Sequence, residues 1–236
     1  MSFIIAVYTN EGIIMASDSR TTYTTTVPLS TGVVEKRIGV QITDTTYKTF
    51  LCQDRIGIST CGAGDVNGVP ITGYIEDFIK QDTNKDSTVE SVAKGLLSYF
   101  TRFEPLPATN FLVAGYNVEG TQRELMRVYI NSKEIIPENC LSPGASWDGE
   151  TDIFKRIVKP VAINNGDGKY FDLPAYSTGF NFFTLQDAIN YAEYAVDVTI
   201  KTMFFQDRVK TVGGPIDILA IKPTGGFWIQ RKDLHA

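Results

Sequence analysis

The sequence predicts a mixed α+β fold in which antiparallel sheets stack and helices cover their outer faces. Three observations lead there. Strand-like runs arrive in blocks and helical runs follow them, rather than alternating singly as a doubly wound parallel sheet requires. The helical runs carry apolar residues at three- and four-residue spacing, so each has one face to bury. A chain of 236 residues with 43% hydrophobic and 21% charged content can build a proper core, which excludes disorder as a whole-chain state. No linker and no internal repeat divides the chain, so residues 1–236 read as one domain.

The elements follow in order. Phe3 to Tyr8 and Ile13 to Ala16 are β-type runs around Asn10-Glu11-Gly12, a hairpin turn. A three-residue turn there pairs residue i with residue 22 − i. A Thr-rich stretch, Thr21 to Thr26, opens a polar excursion to about Tyr47. Tyr47 to Cys52 and Arg55 to Cys61 form a second hairpin across Gln53-Asp54. Val69 to Gln81 then places Ile71, Tyr74, Ile75, Phe78 and Ile79 at helical spacing. Ser87 and Glu90 form a capping box for a helix that turns Val89, Val92, Ala93, Leu96, Leu97 and Phe100 inward. A second strand block spans Asn110 to Tyr116, Leu125 to Ile130 and Lys133 to Ile136, with a short helix from Glu150 to Val158. Asn164 to Thr178 reads as a Gly-rich, aromatic loop. Thr184 and Asp187 cap a long helix, Gly213-Gly214-Pro215 then breaks the chain, and Ile216 to Ile221 and Phe227 to Gln230 close the fold.

Composition removes whole classes of chemistry. The chain has one histidine, His235, so a Ser-His-Asp triad, a Cys-His dyad and histidine zinc sites are set aside. Cys52, Cys61 and Cys140 are odd in number and lack CxxC spacing, which points to small core residues of a reducing compartment. The formal net charge of −5 carries no basic footprint for nucleic acid. The N-terminus lacks a basic n-region, and no apolar stretch reaches the roughly 18 residues of a membrane span. The expectation is a cytoplasmic protein with no metal and no cofactor.

Two motifs read as structural. Gly62-Ala63-Gly64 with Gly68 is one residue longer than a dinucleotide fingerprint and follows hairpins rather than the first strand of a βαβ unit. Asp82, Asn84 and Asp86 begin like a calcium loop, but Ser87 and Ala93 stand where that loop wants Gly and Glu. What remains for a histidine-free hydrolase is its own α-amine, whose unperturbed pKa of roughly 7.7–8 suits a general base. It must share a residue with the nucleophile. Ser2 follows Met1, and Met before a small residue is normally removed. The hairpin register sets Ser2 opposite Arg20 with Asp18 as its diagonal neighbour.

These residues resemble the proteasome β-subunit-like N-terminal nucleophile hydrolases. Ser2 to Val7 followed by Gly12-Ile13-Ile14-Met15-Ala16-Ser17-Asp18-Ser19-Arg20 is similar to that family's opening hairpin. Arg55 to Asp65 is similar to its second hairpin and glycine turn, and Lys48 lies 14 residues before Gly62, the spacing of the family's lysine. Asn110 to Gly115, Arg127 to Ile130, and Gln206-Asp207 with Gly213 to Ile218 extend the resemblance over nearly the whole chain, with a longer insertion before Lys48. Asp148-Gly149-Glu150-Thr151 looks most like the bacterial proteasome homologues of the Anbu-type group.

The resemblance implies a four-layer αββα sandwich of two antiparallel sheets flanked by helices. It implies Ser2 as nucleophile, Asp18 holding Lys48, Lys48 lowering the pKa of the Ser2 hydroxyl by its charge, Gly62 as oxyanion donor and Asp207 fixing the α-amine. Arg20, Thr151 and Thr211 are the supporting candidates, and Thr46, Phe50 and Thr60 the pocket. Val212 stands where the family has a serine, for which Thr211 substitutes; Thr151 or Ser146 takes the other serine's place. The implied activity is cleavage of peptide bonds within a self-compartmentalising homo-oligomeric ring or spiral, with unfolded peptide as substrate, room for an ATPase partner, and no nucleic acid or membrane. A catalytically inactive scaffold subunit is the alternative, and an amidase for small amides a third reading.

Overall fold

The computed structural model describes residues 2–28 and 34–234; the expected removal of Met1 and the lone His235 lie outside the described residues. In chain order the strands are β1 (Phe3–Tyr8), β2 (Ile13–Ser17), β3 (Thr21–Pro28), β4 (Val34–Thr43), β5 (Thr49–Cys52), β6 (Ile56–Gly62), β7 (Asp65–Val66) and β8 (Val69–Pro70). Helices α1 (Ile71–Asp82) and α2 (Val89–Phe100) follow, then β9 (Thr109–Tyr116), β10 (Arg123–Tyr129), β11 (Glu134–Pro137) and β12 (Gly144–Gly149). Helix α3 (Asp152–Val158), β13 (Ala162–Asn164), β14 (Tyr170–Asp172), helix α4 (Leu185–Phe205), β15 (Asp217–Lys222) and β16 (Gly225–Gln230) complete the chain.

The result is a mixed α+β fold with two five-stranded antiparallel sheets. One runs β12-β1-β2-β15-β16 and the other β11-β10-β9-β6-β5. Three apolar clusters bind the layers. Phe3, Ile5, Val7, Ile14, Ala16 and Ile218 on one face of the first sheet pack with Phe154 of α3 and Ala188, Ala192, Val196 and Met203 of α4. Phe50, Ile58, Phe111 and Val113 of the second sheet pack with Ile75 and Phe78 of α1 and Val92, Leu96 and Phe100 of α2. Between the sheets, Ile4, Ala6, Met15, Cys61, Leu112 and Leu219 form the third. Strand alternation makes this possible: Phe3, Ile5 and Val7 face helices while Ile4, Ala6 and Tyr8 face the other sheet. Because both faces of β1 are covered, all six of its residues are buried and its sequence is a continuous apolar run.

Several expectations are corrected. The first hairpin pairs Tyr8 with Ile13 and Ile4 with Ser17, a register of i with 21 − i. Thr9 belongs to the turn, where its N–H and its hydroxyl both donate to the Gly12 carbonyl. The polar excursion to Tyr47 is a two-stranded ribbon, β3 with β4, joined across residues outside the description. The box that starts α2 is reciprocal between Thr88 and Ser91, one residue later than Ser87 and Glu90. Within the Asn164 to Thr178 loop, Tyr170 to Asp172 pairs back onto β13. Strand β12 was not anticipated, since its Gly, Ser and Trp do not alternate in polarity. The reciprocal cap of Thr184 and Asp187 on α4 forms as expected.

Candidate functional site

The register of the first hairpin decides what Asp18 meets. It brings Asp18 level with the Phe3 backbone, where Phe3 N–H donates to Oδ1 (3.0 Å) and Asp18 N–H donates back to the Phe3 carbonyl (3.4 Å). Arg20 N–H and Gly213 N–H donate to Oδ2 at 3.1 and 3.0 Å. The fourth donor is the Lys48 ammonium, 2.8 Å from Oδ1. Asp18 is fully buried and Lys48 only 3% exposed, so the pair is enclosed. The Lys48 ammonium also donates to the Arg20 carbonyl. Burial pushes the Lys48 pKa down, opposed chiefly by the charge and hydrogen bond of Asp18.

Ser2 is buried just before β1, and its carbonyl accepts the Glu150 N–H at 2.8 Å. Gly149 makes that approach possible. Its φ is +91°, and a Cβ there would sit 1.9 Å from the Ser2 carbonyl oxygen. Ser2, Lys48, Thr46, Thr60 and Gly62 line one cleft with Thr21, Cys61, Ala63, Gly64 and Ile71. The cleft volume is about 10 Å³, room for roughly one water. Gly62 ends β6 at φ +110°, turning the chain toward Ala63, whose N–H donates to the Ala108 carbonyl. Thr46 N–H donates to the Ser19 carbonyl, and the Thr60 hydroxyl bonds Thr109 at 3.1 Å.

Other expected site residues lie elsewhere. Arg20 does not face Ser2; its guanidinium grips Asp44 through two bonds of 2.6 and 2.7 Å. The Arg20 hydrogen bond holds the Asp44 carboxyl below its usual range, and the same pairing raises the Arg20 pKa. Gly213 lies under this guanidinium, where a Cβ would come within 2.6 Å of Cζ, so the Gly213 N–H can reach Asp18. Phe50 is buried in the cluster beneath α1 and α2 rather than lining the cleft, because Phe50 follows Ile58 onto the helix-facing side of its sheet. Asp207 is exposed and makes no hydrogen bond among the described residues. The neighbouring Arg208 turns inward instead, bonding Glu150 at 2.7 Å and Asp152 at 2.8 Å. Thr211 is buried and donates to Glu150 at 3.3 Å, while Val212 joins the apolar cluster on α4. Thr151 precedes α3 without a side-chain cap bond.

Sequence reasoning missed Glu150, whose backbone binds Ser2 and whose side chain joins Arg208 to Thr211. An acid directly after a glycine, Gly149-Glu150, was the available signal. Among the described residues no cluster of three or more His, Cys, Asp or Glu could hold a metal, and no helix is long and apolar enough to cross a membrane. No family model matches the chain, and no curated protein matches its sequence.

Proposed function

We propose that the protein is an N-terminal nucleophile hydrolase of the proteasome β-subunit-like kind, with the αββα fold of that class. In this reading Ser2 is the nucleophile once Met1 is removed, and peptide bonds are the substrate. The observation that carries it is Lys48, paired with the buried Asp18 and lining one cleft with Ser2 and Gly62. The Ser2 α-amine takes the hydroxyl proton as Oγ attacks the carbonyl carbon. The Lys48 charge and the Gly62 turn stabilise the negative charge that develops. The amine then gives the proton to the departing amide nitrogen, leaving an ester on Ser2 that water hydrolyses by the same steps. The narrow cleft, lined by threonines, Ala63 and Gly64, favours small uncharged side chains next to the cut bond. The protein works in the cytoplasm as a homo-oligomeric ring or spiral, which light scattering tests by mass; a monomer at micromolar concentration refutes the assembly.

A non-catalytic scaffold subunit is the second reading, favoured by the exposed Asp207 and by Val212 in the core. Turnover of fluorogenic peptides by four forms separates the two, with intact mass identifying the first residue of each. Native protein and Ser2→Thr are expected to be active; Ser2→Ala and a form with an uncleavable residue before Ser2 are not. Full activity in the blocked form excludes the amine as base. Inactivity of all four forms, with Met1 retained in the native one, favours the scaffold.

A further inference from the structure

The connection between α3 and α4 carries an apolar surface that stands open. Strands β13 and β14 form a two-stranded sheet of their own, and every residue of both is exposed. Ile163 pairs with Phe171, and the Leu173 N–H donates to the Val161 carbonyl at 2.9 Å. Cross-strand partners share a face, so Val161, Ile163, Phe171 and Leu173 line one side, with Lys169 at its end. Ala162, Asn164, Tyr170 and Asp172 line the other. Tyr176, just past Leu173, is 92% exposed. A two-stranded hairpin alone is marginal in water, so this ribbon gains from a partner.

A second open patch ends α4. Phe204 and Phe205 are 67% and 85% exposed and meet edge-on, their centroids 5.1 Å apart. Asp207 follows them in solvent. The two patches lie apart. Asp152 at the start of α3 holds Arg208 beyond the end of α4, while Phe154 reaches Tyr191 near the start of α4. Helix α3 therefore runs back along α4, and the ribbon that follows it lies toward the other end. From Tyr191 to Phe205 the helix spans about 20 Å.

We propose that the ribbon docks on the Phe204–Phe205 end of α4 in a second copy of the chain, with Lys169 facing Asp207. Charge complementarity points to this occupant. Lys169 and Asp207 are both exposed, neither makes an ion pair among the described residues, and each borders one apolar patch. The area agrees. Weighted by exposure at about 200 Å² per large side chain, Ile163, Phe171, Leu173, Tyr176, Phe204 and Phe205 offer about 750 Å². Interfaces are a little over half apolar, so this corresponds to a contact of about 1,300 Å², within the range of about 1,200–2,000 Å² for stable ones. Because the two surfaces differ, the contact is head-to-tail, and repeating it builds a ring or an open spiral. The inference rests on the homo-oligomeric reading above and not on catalysis.

The test is mass by light scattering at micromolar concentration, with far-UV spectra and melting temperatures to check folding. Phe171→Ser with Leu173→Ser removes the ribbon face, and Phe204→Ser with Phe205→Ser removes its dock. Each form alone is expected to be monomeric. Mixed one to one they are expected to form a dimer and stop there, because only one intact ribbon meets one intact dock. Lys169→Glu and Asp207→Lys each raise the dissociation constant by about tenfold or more, as like charges across a contact do, and combined in one chain they return it near native. These reversals touch only exposed side chains, so they test the docking independently of the serine variants, and general loosening would not produce the rescue. Failure of the rescue overturns the pairing on which the choice of occupant rests. If the native chain assembles and either serine form keeps the native mass, the docking is overturned and the assembly stands. If both fall apart and their mixture gives no dimer, each patch pairs with its own kind and head-to-tail docking is overturned. A monomeric native chain overturns assembly and docking together.

Discussion

Asp18 accepts three backbone N–H groups besides the Lys48 ammonium, and this sets what loss of the lysine costs. Removing one partner of a buried pair commonly costs about 3–5 kcal/mol, because the other charge is left uncompensated. Here the backbone donors remain, so Lys48→Met is expected to cost near the lower figure, about 3 kcal/mol by urea unfolding, and to keep its far-UV spectrum. Turnover is expected to fall by about 10²–10³, since a pre-organised charge is lost from the cleft. Unchanged turnover would rule out the electrostatic role. The Asp44 carboxyl gives a pH prediction of definite sign. Its folded pKa is depressed by Arg20, so its stabilisation is present above the ordinary value of 3.8 and is lost as pH falls through the lower folded value. In Asp44→Asn the difference in melting temperature between pH 6 and pH 3 should shrink, and by less in high salt because the carboxylate side chain is 40% exposed.

At the scale of elements, the end of β12 positions Ser2 as directly as β1 does. Phe3 pairs with Gly149, and the next residue, Glu150, holds the Ser2 carbonyl. A methyl group on Gly149 would strain a left-handed backbone and collide with that carbonyl. Gly149→Ala is therefore expected to destabilise the fold by at least about 2 kcal/mol and to displace Ser2 from the cleft. A crystal structure of the variant with the Glu150 N–H···Ser2 bond intact would contradict this. The first hairpin and β12 thus act as one unit, and α3 follows directly so that Phe154 packs edge-on to Phe3 and Trp147.

Across the whole molecule, three apolar layers hold the strands whose ends carry the cleft residues. Helices cover the far side of each sheet, and residues such as Met15 and Leu219 fill the space between. Phe154 is fully buried in the layer under α3 and α4, so Phe154→Ala should cost about 3–5 kcal/mol. Met15→Ala removes filling between the sheets and should cost about 2–5 kcal/mol. The two changes separate in function. Loss at Phe154 acts on β1 through Phe3, so Ser2 loosens and turnover falls at temperatures where the protein is still folded. A Phe154→Ala protein with native turnover well below its melting point would show that the α3 layer does not position Ser2.

The identity of most strands and helices was legible in the chain because it is local. The apolar run of β1, the helical spacing of α1 and α2 and the reciprocal cap of α4 each follow from neighbouring residues. The cluster of strands into blocks likewise pointed to stacked antiparallel sheets. The placement of Asp18 near Lys48 was not local, and came only from resemblance to a family's spacing. What tertiary structure decided was register and direction. A shift of one residue in the first hairpin moved Arg20 away from Ser2 and put Asp18 beside the Phe3 backbone, because side chains alternate with period two. Strand β12 and the ribbon of β3 with β4 escaped notice because their partners, not their own patterns, make them strands. Asp207 and Arg208 are adjacent in sequence, and only the fold turned Arg208 inward to Glu150 and left Asp207 in solvent. The Lys232 bond to Asp217 joins residues 15 apart, and the Lys48 bond to Asp18 joins residues 30 apart. Neither closure is visible to propensity or periodicity, because both depend on which sheet edge the chain returns to.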